Sequence, residues 1–148
     1  MVSLADVERF LRRHKTIGLD SNILIYLLEA HPQYQDICKK IFTSIESGHN
    51  SGVCSTVSLL EILVQPYRNN DDETVNRCYG LLTTYPHLSW VELSVGIADL
   101  AAQLRAQYRL KTPDAIVLAT AMDSGATGFI ANDAQLKRVA ELELLVLD

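Results

Sequence analysis

Short apolar runs with strand character alternate along the chain with longer segments of helical periodicity. The predicted strands are Thr16–Leu19, Gly52–Ser55, Leu88–Leu93, Gly128–Ala131 and Leu144–Leu147. Between them, three-and-four spacing of apolar residues predicts helices over about Ile23–Glu29, Tyr34–Ser47, Val57–Val64, Asp71–Thr84, Val95–Tyr108, Pro113–Ser124 and Ala134–Glu141. Ahead of the first strand, Leu4, Val7, Phe10 and Leu11 recur at helical spacing, so residues 1–15 read as a packed helical extension. The alternation predicts an α/β sandwich with a mainly parallel sheet. No repeat or low-complexity tract interrupts it, and the only linker-like stretch is the polar Arg68–Glu73 after Pro66. One domain over residues 1–148 is therefore expected.

Composition narrows the function classes. With 148 residues, 48% of them apolar, the chain can bury one substantial core. Its longest apolar runs, such as Ile23–Leu28, fall far short of a membrane span, and acids occupy the opening residues where a signal peptide is apolar. No membrane contact and a cytoplasmic location are expected. The net charge of -5 argues against coating nucleic acid through bulk electrostatics, but leaves room for a local site. Cys38, Cys54 and Cys78 form no Cys-x-x-Cys pair, and His14, His31, His49 and His87 never share a helical ligand spacing, which argues against a soft metal. Glycine-rich nucleotide-binding motifs are absent as well.

The acids carry the remaining signal. In an open parallel sheet the ligand crevice lies beyond the carboxyl ends of the strands. Asp20 directly follows the run Thr16–Leu19 and Asp133 follows Gly128–Ala131, so both are predicted at that rim. Glu61 lies inside an almost wholly apolar helix, on a face shared with Val57, Leu60 and Val64, which predicts a carboxylate among core residues. Asp114 opens the helix Pro113–Ser124, for which Thr112 is the expected N-cap and Gly125 the expected stop. Two readings fit the set. Asp20 and Asp133 can be turn residues, Asp114 a helix-end charge, and Glu61 the partner of an arginine. Alternatively the four converge on a multivalent cation that offsets their repulsion, and all-oxygen donors point to magnesium or manganese.

Four motifs in order resemble those of the PIN-domain nucleases. Asp20-Ser21-Asn22-Ile23-Leu24-Ile25-Tyr26 is similar to the family's opening strand-to-helix motif. Ser55-Thr56-Val57-Ser58-Leu59-Leu60-Glu61 resembles the segment bringing the second acid, and Thr112-Pro113-Asp114-Ala115-Ile116 the helix carrying the third. Phe129-Ile130-Ala131-Asn132-Asp133 resembles the strand end with the fourth. The likeness runs from about Thr16 to the C-terminus. Ser58 stands where threonine is common and Ala131 where a hydroxyl residue often precedes Asn-Asp, but no acid is lost. The resemblance implies a three-layer α/β/α sandwich and a metal-dependent endoribonuclease, with the VapC-type toxins of toxin-antitoxin pairs as the nearest subgroup. It also implies a small antitoxin partner and a homodimer. Two other roles stay open, a PIN nuclease of RNA maturation or decay and a PIN-like module that binds RNA or protein without cutting.

On this reading Asp20, Asp114 and Asp133 are the main metal ligands, while Glu61 binds metal directly, binds it through water, or orients the attacking water. Ser21, Asn22, Ser58 and Asn132 are candidates to hydrogen-bond the acids or a phosphate. Arg105 and Arg109, four residues apart on a helix, and the following Lys111 are candidates to contact RNA. The basic residues Arg9, Arg12, Arg13 and Lys15 belong to the amphipathic extension and are assigned no function.

Overall fold

The computed structural model describes residues 1–148 and contains five strands and seven α-helices. The chain runs α1 (Leu4–Arg13), β1 (Thr16–Leu19), α2 (Ser21–Glu29), α3 (Gln35–Glu46), β2 (Ser51–Ser55), α4 (Thr56–Arg68) and α5 (Asp72–Thr83). It continues with β3 (Leu88–Val91), α6 (Val95–Tyr108), α7 (Thr112–Asp123), β4 (Gly128–Ala131) and β5 (Glu143–Val146). Every strand pairing is parallel, in the order β3-β2-β1-β4-β5.

Side-chain alternation along the strands divides the core between the two faces of this sheet. Ile17, Leu19 and Ile130 pack with α1, α2 and α3 on one face, while Phe129 and Ala131 pack with α6 and α7 on the other. The result is the expected α/β/α sandwich. Extension α1 is an integral part of it: Val7 and Phe10 are buried, and the following His14 bridges Thr127 and Glu143 at 2.7 and 2.6 Å.

Local chemistry sets the helix ends. A capping box between Ser3 and Asp6 opens α1, and the Ser94 hydroxyl accepts from the Ile97 N–H at the start of α6. Gly125, at φ +83°, closes α7 as expected. Lys111, not Thr112, occupies the cap position of α7, which shifts Thr112 and Pro113 into its first turn.

Two further expectations fail. Helix α4 continues through Pro66 to Arg68, because a proline this close to the C-terminal end costs a single backbone bond, and the Asn69 N–H still reaches the Gln65 carbonyl at 3.0 Å. The predicted linker shrinks accordingly to a tight turn before α5. The predicted helix Ala134–Glu141 is only a 3₁₀ turn, Ala134–Arg138. Buried Leu136, Val139 and Leu142 are spaced by three, which suits a 3₁₀ turn running into extended chain better than a period of about 3.6.

Candidate metal centre

The sheet order reverses direction at β1 and β4, so the crevice beyond their carboxyl ends is the fold's switch point. Asp20 leaves β1 there. Its N–H donates to the Ile130 carbonyl (3.0 Å), and its carboxylate caps α2 by accepting from the Ser21 N–H (2.8 Å). The side chain is thereby held at the rim with only 7% of the residue exposed. Asp133 follows β4 on the other side of the crevice and caps the 3₁₀ turn, accepting from the Gln135 N–H at 2.9 Å. Asp114 enters from the first turn of α7, half-buried.

Glu61 comes from the second turn of α4, and here the sequence expectation is corrected. Ser58 and Ile62 face the core, with Leu59 and Leu63 partly covered, whereas Glu61 lies on the exposed side with Leu60 and Val64. Helix α4 is covered on one flank only, by α2, α5 and α7, and its outer apolar residues imitate a core face.

All four carboxylates share one electrostatic field. Burial, reinforced by the charges of Asp114, Glu61 and Asp133, pushes the Asp20 carboxyl up to about 6 against the opposing Ser21 N–H. Glu61 is raised by partial burial and then by Asp114, with the Ser21 hydroxyl opposing. Asp114 is raised by burial and then by Asp133, while Lys111 and Arg138 pull it down. None of the ion pairs in the protein involves these acids. No three of them converge on one point at ligand distance, so the fit to a cation rests on donor chemistry. A purely oxygen-bearing set, repelling itself and without a basic partner in contact, suits a hard divalent ion that keeps several waters and takes few carboxylates.

The surrounding candidates separate. Ser21 is buried beside Glu61, but Asn22 is exposed on the first turn of α2. Asn132 is corrected to a structural role: its amide donates to the hydroxyls of Tyr26 and Tyr34 at 2.9 and 3.1 Å, and its oxygen accepts from the Asp148 N–H. The Tyr34 hydroxyl also bonds the Asp148 carboxylate, so Asn132 ties the C-terminus to the base of α2 and does not address the acids. Arg105 is occupied in donating to the Leu110 carbonyl (3.1 Å), and Arg109 closes α6 in the left-handed conformation. Of the basic trio only Lys111 draws down the carboxyl of an acid in the centre, Asp114. Its companion is Arg138, which sequence reasoning missed because its partners, Asp114 and the Arg109 carbonyl, are remote in the chain.

Ser58 is fully buried and its Oγ has no hydrogen-bond partner, the only buried side-chain polar atom in that position. An unmet hydroxyl costs about 1–3 kcal/mol. Ser58→Ala is therefore expected to stabilise the metal-free protein by roughly 1 kcal/mol in urea unfolding. Equal or lower stability would mean that a bound water satisfies the hydroxyl.

A parallel α/β domain with an acidic centre at its switch point is the class these features define. A model of the PIN domain matches residues 17–142, and the chain belongs to that family, whose members are in general nucleases. VapBC2 from Rickettsia felis, bound to a DNA fragment from its promoter, has a chain that superposes with a TM-score of 0.69 at 18% identity, covering 90% of this chain and 99% of that one. A toxin-antitoxin complex from Klebsiella pneumoniae gives 0.67 at 23% identity, with 88% and 96% covered. FitAcB from Neisseria gonorrhoeae gives 0.65 at 16% identity, with 87% and 96% covered. No curated protein sequence matches. At these identities the structural likeness establishes the fold.

Proposed function

We propose that this PIN domain is a divalent-cation-dependent endoribonuclease and the toxin of a toxin-antitoxin pair. The observation that carries the reading is that the charges of Asp114, Glu61 and Asp133, each from a different element, all act on buried Asp20, with no ion pair to neutralise any of the four. Asp20, Asp114 and Asp133 hold Mg²⁺ or Mn²⁺, and Glu61, the most exposed of the four, orients the attacking water. When bound, the cation neutralises the scissile phosphate and lowers the pKa of that water. Ser21 positions Glu61, while Lys111 and Arg138 oppose the rise of the Asp114 carboxyl and supply the positive charge to meet an incoming phosphate backbone.

The likeness to chains from toxin-antitoxin complexes supports a small antitoxin that covers the acids. An exposed apolar stripe on α4, formed by Leu60, Val64 and Tyr67, supports a homodimer. The test is incubation of a mixed RNA pool with purified protein in magnesium, manganese or chelator. Metal-dependent fragments lost on chelation are the expected result. An RNA pool left intact under every ion, by protein free of any co-purified partner, would sink the reading.

A further inference from the structure

The basic residues of α1 acquire partners once the chain is folded. Helices α1 and α3 pack side by side over one face of the sheet and enclose a groove of 960 Å³ in which Leu4 and Leu11 are the only apolar residues. Its walls bring Arg12, Arg13 and Lys15 opposite Lys39 and Lys40, against only Glu8 and Asp36. Five of the 13 basic residues of an acidic chain thus line this groove.

Part of this charge is already engaged. Lys40 pairs with Glu8 and Arg13 with Glu143, but all four side chains are about half exposed, where such pairs contribute little and exchange readily. Lys15 donates to the carbonyls of Gly48 and His49 at 3.0 and 3.2 Å, which fixes its ammonium at the groove mouth. Arg12 and Lys39 are exposed and form no ion pair. The cations do not converge on one point, as a site for a single small anion requires. They line two facing walls, an arrangement that matches successive phosphates of a polymer.

We propose that the α1–α3 groove is a second RNA-binding surface, which holds the phosphate backbone of the substrate away from the acidic centre; this rests on the ribonuclease reading above. Lys15 and Asp20 stand at opposite ends of β1, roughly 16 Å apart at about 3.3 Å per residue. The Lys15 mouth of the groove therefore lies at the amino end of the sheet and the acids at its carboxyl end. Only an RNA reaching around the edge of the domain engages both. Long or folded substrates gain affinity from the groove, and a short oligonucleotide that fills only the acidic crevice does not.

The test uses the full chain carrying Asp20→Asn, so that RNA is bound but not cut, and follows anisotropy of a labelled hairpin RNA, a short oligonucleotide and a DNA duplex across a salt series. Adding Arg12→Glu and Lys39→Glu is expected to weaken hairpin binding at least tenfold. The slope of log affinity against log salt should fall by about 0.7–0.9 for each phosphate no longer neutralised, with the short oligonucleotide unaffected. Both side chains are exposed, and the Arg12→Gln, Lys39→Gln pair, with an intermediate loss, separates charge from folding. Hairpin affinity and slope that do not move overturn the proposal, as does tighter groove-dependent binding of the DNA duplex. A wild-type protein that binds hairpin through the groove but cuts nothing under any divalent ion would remove the nuclease reading and leave the groove standing.

Discussion

The Asp20→Asn variant is expected to lose metal-dependent RNA cleavage and, without metal, to be more stable than the wild type. Asp20 is the most buried of the four acids and the one on which the other three charges act together. Its loss as a ligand should reduce cleavage by more than the roughly 10–100-fold typical of partners one step removed from a metal. The gain in stability follows from the same burial, because asparagine keeps the shape and the Ser21 N–H contact without a charge in a desolvated, repelling position. Loss of activity together with a higher unfolding midpoint cannot be attributed to misfolding. A stable variant that still cuts at the wild-type rate would remove Asp20 from the centre.

The pH dependence of the metal-free protein carries the same sign. The Asp20 carboxyl is near its ordinary 3.8 in the unfolded chain and at about 6 in the fold, so between these values the folded state holds more protons. The contribution of Asp20 to stability is therefore greatest below pH 4, falls as pH rises through 6, and levels off above it. The shift corresponds to about 3 kcal/mol at most, at about 1.4 kcal/mol per pH unit. Glu61 and Asp114 are displaced in the same direction and add to the trend. Urea unfolding in chelator should show a wild-type deficit relative to Asp20→Asn that is small near pH 4 and full above pH 7. Adding Mg²⁺ at neutral pH should reverse the deficit, by about 2.7 kcal/mol at a hundredfold excess over the dissociation constant.

The acids at strand ends were legible in the sequence because parallel strands buried on both faces leave continuous apolar runs whose ends are plain. Thr16–Leu19 and Gly128–Ala131 coincide with β1 and β4, and Asp20 and Asp133 fall where the expected sheet places them. The environment of Glu61 was not legible, since periodicity identifies an apolar stripe without revealing which stripe a neighbour covers. Leu60 and Val64 share the phase of a core face but remain in solvent, while Ser58 and Ile62 turn inward. Arg138 and Asn132 depend on partners remote in the chain: Arg138 reaches the Arg109 carbonyl, and Asn132 reaches the last residue. The groove between α1 and α3 escaped notice for the same reason, because its cations come from two separate stretches of chain, Arg12–Lys15 and Lys39–Lys40.

Gly18→Val should have the largest effect on folding, and it tests whether the sheet itself sets the spacing of the acids. Gly18 is in the middle of β1, with β2 on one side and β4 on the other, two residues before Asp20. A Cβ there would lie 2.5 Å from the Phe129 ring and 2.7 Å from the Ala121 methyl on α7. Neither neighbour can yield easily, because Phe129 is fully buried on the adjacent strand β4 and Ala121 belongs to a helix packed between the sheet and α6. Added volume in a close-packed core costs about 1–3 kcal/mol per side chain, and valine exceeds the single methyl that already collides. Gly18→Ala is therefore expected to lose about 1–3 kcal/mol in urea unfolding, and Gly18→Val more, enough to leave a marginal domain partly unfolded. The alanine variant is the informative one. The strain displaces α7, which carries Asp114 at its first turn, away from β1, which carries Asp20, so cation affinity should fall along with stability. If Gly18→Ala loses stability but retains the wild-type response of its melting temperature to Mg²⁺, the distance between β1 and α7 does not control the centre, and Asp114 adjusts to the ion through its side chain alone.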